Sequence, residues 1–187
     1  MHGPRVLAVV ILAVAAAACM LPWVQSLHPL ALESDSVFEQ ALVGTWVQKG
    51  GDTWTFQRSG DRGYDLVVTE KGSPAKFDAQ LVRLGEFLFL DTAPGDPGIT
   101  NLFYLLHFAP THTISRAWLR GDVLLLAPLA DEWLKEMLDQ RRVTIANARV
   151  HDHIILTATT DELQKFAVDY ADDPDAFPIT IGLRRQK

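Results

Sequence analysis

The sequence predicts a mainly β fold of the β-rich α+β class, in which an antiparallel meander forms a closed or nearly closed small barrel with two short accessory helices. Three observations indicate this class. Short segments with alternating apolar and polar residues follow one another between residues 44 and 126. Turn residues separate these segments at hairpin spacing. After residue 44, sustained helical spacing of apolar residues appears only in segments 130–140 and 160–170. A two-sheet sandwich is the alternative arrangement of the same strands.

The meander begins after a short helical turn. Residues 37–42 are predicted to form this turn, because Ser36 and Glu39 have the spacing of a capping box. Short strands with tight connections are expected to pair with their neighbours in antiparallel fashion. The predicted strands are 45–48, 53–58, 64–69, 77–84, 87–90, 103–108, 113–119 and 123–126.

Two helices and one further strand complete the predicted domain. Residues 130–140 have apolar side chains at helical spacing, with Asp131 and Glu132 at the start and Arg141 and Arg142 directly after the segment. In the second helix, Thr159 or Thr160 is the expected N-cap. Between the helices, residues 154–157 form the last strand that the pattern predicts. Both helices are expected to cover an end or an edge of the sheet.

The N-terminus has the composition of a signal or anchor helix. Residues 6–21 form an unbroken run of sixteen apolar residues, and Arg5 is the only charged residue before Glu33. A positive residue, a short apolar core and small residues, in that order, are typical of a secretory signal. Because positive charge stays on the cytoplasmic side, the rest of the chain is expected to cross the membrane. The sequence therefore predicts a location outside the cytoplasm.

Cys19 is the only cysteine, and it follows three alanines, 16–18, at the end of the apolar run. This arrangement resembles the lipobox of bacterial lipoproteins, in which a peptidase cuts before the cysteine and its thiol carries a diacylglycerol. The resemblance implies lipidation at Cys19 and a signal peptide over 1–18. Residues 22–36 have no helical or alternating period, so we predict a lipid-attached tether over 19–36, followed by a single barrel-like domain over 37–187. It also implies a bacterial cell envelope protein, membrane-anchored and facing the periplasm. An uncleaved anchor helix and a soluble secreted protein are the alternatives.

The charge balance restricts the partners. Lys and Arg number 17 against 23 Asp and Glu, which gives a formal net charge of −6. Nucleic-acid binding needs a basic surface, so no nucleic-acid partner is expected. Anionic lipid headgroups repel an acidic domain, so surface attraction alone would not hold it to a membrane. The expected partners are the membrane, through the N-terminal lipid or anchor, and either an apolar ligand or an envelope protein.

Gly44, Thr45 and Trp46 follow the predicted helical turn and begin the first strand of the meander. This Gly-x-Trp opening resembles that of lipocalins and other calycins. The resemblance implies a barrel in which Gly44 and Trp46 have structural roles, with the Trp side chain closing the barrel floor.

A wider set of residues carries a second resemblance. It comprises Ser26-Leu27-His28-Pro29-Leu30, Phe38, Leu42, Gly44, Trp46, Trp54-Thr55-Phe56, Leu81-Val82-Arg83-Leu84-Gly85 and Phe89-Leu90-Asp91. Together with the cysteine, this set resembles uncharacterised bacterial envelope lipoproteins. The likeness runs through most of the chain, and it implies a lipoprotein without implying any activity.

His151, Asp152 and His153 are the strongest candidates for metal chemistry. In a strand, residues two apart share a face, so both imidazoles could bind one metal ion with His107 or His112 as a further ligand. The competing interpretation is a polar turn before the last predicted strand. Because the further ligands have no fixed place in the sequence, we predict no metal site and no cofactor.

Catalytic motifs are missing from the sequence. It contains no nucleophile elbow, no phosphate-binding loop and no zinc-protease motif. Four aspartates between residues 169 and 175 lack the oxygen spacing and central Gly of a calcium loop, and we interpret them as a solvated helix end. We therefore assign no catalytic residue, and the sequence favours a protein that is not an enzyme.

Aromatic residues of the predicted strands either line a lipophilic cavity or fill a packed barrel core. They are Trp46, Trp54, Phe56, Tyr64, Phe87, Phe89 and Trp118.

Taken together, these observations predict an exported, lipid-anchored envelope protein with a non-catalytic binding role, toward an apolar ligand or an envelope protein. The alternatives are a structural or assembly lipoprotein that acts through its surface, and a hydrolase of unknown type.

Overall fold

The computed structural model describes residues 23–187. The predicted signal peptide over 1–18, the lipidation site Cys19 and the start of the predicted tether lie outside the described residues. Within residues 23–187, no helix combines the length and the apolar composition that a bilayer-spanning segment needs.

β-Strands are the main secondary structure of the described chain, which also has three short helices and one 3-10 turn. In chain order the strands are β1 (Gln25–Ser26), β2 (Ser36–Val37), β3 (Gly44–Gln48), β4 (Thr53–Ser59), β5 (Gly63–Glu70), β6 (Ser73–Leu84), β7 (Phe87–Pro94), β8 (His112–Arg120), β9 (Val123–Pro128), β10 (Asn147–Val150), β11 (His153–Leu156) and β12 (Ile181–Arg185). The helices are α1 (Leu102–Leu105), α2 (Asp131–Asp139) and α3 (Thr160–Asp169), and the 3-10 turn spans Gln40–Leu42.

Eight of these strands form a closed antiparallel barrel. Strands β3 to β9 follow one another as a meander, in which every strand pairs with the next through antiparallel hydrogen bonds. β12 comes from much later in the chain and pairs with both β9 and β3, which closes the ring. The predicted closed barrel is therefore confirmed, and the sandwich alternative is wrong.

The barrel has two different ends, which we name the floor and the mouth. The floor carries the tight turns 60–62, 85–86 and 121–122, together with the 3-10 turn that precedes β3. The mouth carries the long connections 95–111, between β7 and β8, and 129–180, between β9 and β12. Successive side chains of a strand lie on opposite faces, so alternate residues of every strand point into the barrel.

The barrel wall separates two hydrophobic cores. In β6, Ala79 and Leu81 are buried in the inner core, whereas Val82 and Leu84 are buried in the outer core. The outer core lies between the barrel wall and the two longer helices, which contribute Leu134, Leu163, Phe166 and Ala167. The two predicted accessory helices are therefore present, but they cover the outer face of the barrel instead of the end or edge of the sheet that the sequence predicts.

The segment predicted as a strand over 103–108 contains α1 instead. Asn101 precedes this helix, and its side chain accepts a hydrogen bond from the Tyr104 backbone N–H at 2.9 Å. This N-cap stabilises a helical turn, and the apolar run that follows lacks the alternation that would fix one face in a sheet. The strand predicted over 154–157 is present as β11, but it is not the last strand, because β12 follows it.

The helical turn predicted over 37–42 is only partly formed. Its first residue belongs to β2, which pairs with β6, and only Gln40–Leu42 are helical. The predicted capping box is absent from this part of the structure, because the Ser36 hydroxyl donates to a backbone carbonyl at 2.8 Å. The Glu39 carboxylate instead accepts a hydrogen bond from Arg83 of β6 at 3.2 Å.

Residues 23–36 pack against the barrel, which differs from the tether that the sequence predicts over 19–36. β1 pairs with the start of β8 on one edge and with β11 on the other. Val24 and Leu30 are buried in the outer core. Asp91 of β7 fixes the segment, because its Oδ2 accepts hydrogen bonds from the Leu30 N–H at 2.7 Å and from the next amide at 3.2 Å.

Candidate functional site

The floor of the barrel is sealed by a tryptophan and an arginine. The Trp46 side chain is fully buried, and its indole N–H donates to the Leu42 carbonyl oxygen at 2.8 Å. The guanidinium of Arg185, in β12, lies 4.3 Å from the Trp46 ring centroid and donates from Nη1 to the Val43 carbonyl oxygen at 2.8 Å. Its Nη2 donates to the Ala41 carbonyl oxygen. Arg185 therefore connects β12, the last strand of the barrel, to the 3-10 turn that precedes β3, the first strand of the barrel.

Gly44 is required in this arrangement for two reasons. Its backbone φ is 130°, a conformation that residues with a Cβ rarely adopt. A Cβ at this position would also lie 2.7 Å from Arg185 Nη1. The structure thus places the two predicted structural residues, Gly44 and Trp46, together at the floor, where each of them contacts or makes room for Arg185.

Aromatic residues fill the barrel directly above the floor. The Tyr64 ring stacks on Phe38 at 5.3 Å between centroids and meets the edge of Phe56 at 6.1 Å. The Tyr64 hydroxyl accepts a hydrogen bond from the Glu39 N–H at 2.6 Å. Burial raises the pKa of this hydroxyl above its ordinary value. This half of the barrel is a packed core.

The mouth half of the barrel is hollow. It contains a cavity of about 390 Å³, within the size range of pockets that bind small molecules. Most of its lining is apolar. The apolar lining residues are Trp23, Trp54, Leu66, Val68, Phe77, Leu90, Pro128 and Ile181.

Small hydroxyl side chains form a polar strip along one wall of this cavity. Thr92 of β7 lies opposite Thr113 of β8 in the antiparallel register, and Ser115 lies two residues further along β8. Thr180, which directly precedes β12, contributes a fourth hydroxyl to the cavity lining. The cavity therefore combines an apolar wall with neutral hydrogen-bonding groups, the combination by which a pocket holds and orients an amphiphilic molecule.

Carboxylates stand among the lining residues contributed by the mouth end of the strands. Asp52 precedes β4, and its Oδ1 accepts a hydrogen bond from the Lys71 backbone N–H at 2.9 Å. Glu70 lies at the end of β5 and is exposed. None of the described lining residues is a lysine or an arginine. The charge at the cavity is therefore negative.

The predicted metal candidates lie apart from this cavity. His151 and Asp152 form the exposed turn between β10 and β11, and His153 begins β11. His107 lies just after α1, and His112 Nδ1 lies 2.8 Å from Asp91 Oδ1. Among residues 23–187 the structure brings together no group of three His, Cys, Asp or Glu side chains suited to a metal ion.

The aspartates after α3 shape a turn. Asp173 Oδ1 accepts hydrogen bonds from the backbone N–H groups of Asp175, at 2.9 Å, and Ala176, at 3.3 Å. Asp172 is largely exposed and lies 3.9 Å from the guanidinium of Arg116. These contacts agree with the interpretation of the acidic stretch as the end of a helix.

Arg116 is a buried residue that the sequence reasoning did not single out. It points to the outer face of β8, where its guanidinium lies 4.5 Å from the Phe87 ring centroid and 4.9 Å from that of Trp118. Nη1 lies 3.4 Å from the Leu88 carbonyl oxygen. Burial lowers the pKa of Arg116, while Asp172 and Glu86 act in the opposite direction. We interpret Arg116 as a link between the barrel wall and the chain after α3.

The hydroxyl strip was also missed. The sequence could have indicated it, because Thr92, Thr113 and Ser115 occupy inward-facing positions of two neighbouring strands, where large apolar residues would otherwise fill the barrel.

No protein-family model, curated protein or solved structure matches the chain.

Proposed function

We propose that this protein is an exported, lipid-anchored envelope protein that binds an apolar ligand in the mouth of its barrel without transforming it. The observation that carries the proposal is the half-hollow barrel, in which a cavity of about 390 Å³ with a mainly apolar lining lies above a sealed floor. Small barrels that only need a core fill their interiors with side chains. A cavity that combines apolar walls with a few polar groups supports binding.

The lining favours an uncharged ligand with one apolar chain and a small polar head. Thr92, Thr113 and Ser115 can exchange hydrogen bonds with a hydroxyl or ester group. The Asp52 and Glu70 carboxylates repel an anionic head, and no lysine or arginine among the described lining residues offsets them. A neutral single-chain amphiphile, such as a monoacylglycerol, fits these groups better than a fatty-acid anion.

We infer from the residues that line the cavity that the protein does not transform its ligand. A serine or threonine nucleophile needs an adjacent base to activate it. The described lining residues include neither histidine nor lysine, and the Asp52 and Glu70 carboxylates make no hydrogen bond with Ser115 or the threonines. The hydroxyl groups can therefore hold a ligand but lack a partner that would make them attack it.

Export and lipid attachment in this proposal rest on Arg5, the apolar run 6–21 and Cys19. Replacing Cys19 with Ala should abolish labelling by radioactive palmitate and release the domain from membranes. A mutant protein that stays in the membrane fraction at full, unprocessed length would instead support the uncleaved anchor helix.

Ligand binding is tested by filling the cavity from one strand of its wall. Val68 of β5 lines the cavity, whereas Val67 precedes it on the same strand and faces outward. The probe is a short-chain monoacylglycerol below its micelle concentration, titrated by calorimetry. Val68→Trp should weaken binding more than about tenfold, equal to 1.4 kcal/mol, while Val67→Trp leaves it unchanged. Equal affinity in both variants would contradict the proposal.

A further inference from the structure

The connection at the mouth carries a large apolar surface. Leu102, Phe103 and Leu106 expose 72%, 74% and 74% of their surface. Tyr104, Leu105 and Phe108 are also exposed, and we name these six residues the mouth patch. Single exposed apolar residues are common on proteins, but a continuous run of this kind marks a contact surface.

The mouth patch lies in an uncharged stretch of an acidic chain. Residues 97–115 contain no Lys, Arg, Asp or Glu, although the whole chain has a net charge of −6. Aliphatic and aromatic side chains without neighbouring charges match the interfacial region of a bilayer, where apolar groups are buried among the headgroups and Tyr rings are enriched. The chemistry of the patch therefore fits a neutral lipid surface.

The position of the patch connects it with the cavity. The connection 95–111 leaves β7 after Pro94 and enters β8 at His112, one residue before Thr113, which lines the cavity. The Gly95 N–H donates to the Lys76 carbonyl oxygen near the start of β6 at 3.0 Å, which holds the beginning of the connection at the mouth. The apolar surface and the cavity opening therefore belong to the same end of the barrel.

The N-terminal part of the chain meets the domain at this end too. Trp23, the first described residue, lines the cavity and pairs with Ala130 at the mouth end of the barrel. The apolar run 6–21 ends two positions before Trp23 in the sequence. A membrane that holds this run or a lipid on Cys19 is therefore joined to the domain by very few residues, at the mouth.

We infer that the mouth patch rests in the interfacial region of the membrane to which the N-terminus is attached, so that the mouth of the barrel faces the bilayer. If the cavity binds an apolar ligand, as proposed above, this orientation lets the ligand pass between bilayer and cavity without crossing water. Only this consequence rests on the proposed function. The body of the domain faces away from the membrane. The uncharged patch then makes the contact, and the Asp52 and Glu70 carboxylates near the mouth favour a neutral lipid surface over an anionic one.

The contact can be measured on the full chain in phosphatidylcholine vesicles. Tyr104→Cys places a label in the mouth patch, and Asp61→Cys places one on an exposed turn at the floor. Both carry an environment-sensitive fluorophore attached by a water-soluble maleimide, and the chain without an introduced cysteine sets the background. Nitroxide lipids report whether the label lies in the bilayer.

The label at position 104 should emit as in an apolar medium and be quenched by nitroxides about 5–10 Å into the headgroup and acyl boundary. The label at position 61 should emit as in water and stay unquenched. Equal, water-like emission from both labels would overturn the inference. So would an apolar shift of label 104 that appears without vesicles and grows with protein concentration, because that result assigns the patch to a second copy of the chain.

The outcome is separable from that of the ligand titration. If the Val68→Trp and Val67→Trp pair behaves as proposed but label 104 stays in water, binding stands and the membrane contact of the mouth patch is wrong. If label 104 enters the bilayer but neither variant changes ligand affinity, the membrane contact stands and the binding function is wrong.

Discussion

The floor half and the mouth half of the barrel are built from the same eight strands, but their interiors differ. At the floor, Trp46, Phe56 and Tyr64 fill the interior, and Arg185 seals it. At the mouth, Thr92, Thr113 and Ser115 occupy inward positions, and a cavity remains. The comparison shows that a closed barrel keeps an internal cavity where small hydroxyl residues replace large apolar residues at inward positions of neighbouring strands.

The largest expected effect is the loss of Trp46. Trp46→Ala should lower the free energy of unfolding by about 3–5 kcal/mol, because deletion of a buried aromatic leaves a cavity in a packed core. The matched control is Trp54→Ala, since Trp54 lies opposite Trp46 in the β3–β4 register but lines the existing cavity. Chemical denaturation should give a clearly smaller loss for Trp54→Ala. Equal losses would mean that the two halves do not differ in packing.

A smaller loss is expected for Gly44→Ala. The new Cβ would meet the Arg185 guanidinium in a backbone conformation that alanine rarely adopts, and such strain costs about 1–3 kcal/mol. Gly85→Ala is the control, because Gly85 also has a positive φ, 60°, but no atom lies near its missing Cβ. Thermal unfolding should give the larger loss for Gly44→Ala. The reverse order would contradict the role of Gly44 at the floor.

At the mouth, a change of polarity should affect binding rather than stability. Thr113→Val keeps the shape of the side chain but removes the hydroxyl. Affinity for a monoacylglycerol should fall by about 0.5–1.5 kcal/mol, the usual net worth of one hydrogen bond. Affinity for an alkane of equal length should be unchanged or higher. A stability loss as large as that of Trp46→Ala would show that the strip belongs to the packed core.

The smallest expected effect concerns the pH dependence of the floor. Burial raises the pKa of Tyr64 above that of the unfolded chain, so the folded state keeps its proton while the unfolded state loses it. The free energy of unfolding should therefore fall as the pH rises above about 10, the ordinary tyrosine value.

Tyr64→Phe should reduce this alkaline slope. Tyr104→Phe is the control, because the Tyr104 side chain is exposed in the mouth patch. The slope is obtained from denaturant unfolding at several alkaline pH values. If both variants keep the wild-type slope, Tyr64 is not the group responsible.

The strands of the meander could be predicted because their pairing is local. Between β3 and β7, each strand is followed by a tight turn and then by its own partner, so turn residues and alternation identify both. β12 could not be found in this way, because its partners β3 and β9 are distant in the chain. Only the closure of the ring defines Ile181–Arg185 as a barrel strand.

Two other regions were mispredicted because their stabilising contacts are not visible in the local pattern. Leu30 lies in a stretch without helical or alternating period, and the Asp91 carboxylate that fixes its amide is far along the chain. In 103–108 the apolar composition favours a strand, but the Asn101 cap favours a helical turn. In both regions a hydrogen bond to one polar side chain contributes to the local structure, and the pattern of apolar residues does not reveal it.

The candidate site was predictable only in part. The Gly-x-Trp opening indicated Gly44 and Trp46, and the structure places them at the sealed floor. The alternation of Thr113 to Leu119 indicated which side chains face inward, but not how much space they leave. The cavity volume depends on contributions from strands throughout the barrel, so no local pattern predicts it.

The central claim is that the mouth cavity holds an apolar chain, and photocrosslinking tests it most directly. A monoacylglycerol with a diazirine at the end of its chain is bound, irradiated and mapped by mass spectrometry. The crosslinks should fall on inward-facing residues such as Leu66, Phe77 and Leu90, and Val68→Trp should remove them while Val67→Trp keeps them. Crosslinks confined to α2, α3 or the mouth patch, unchanged in both variants, would contradict the claim.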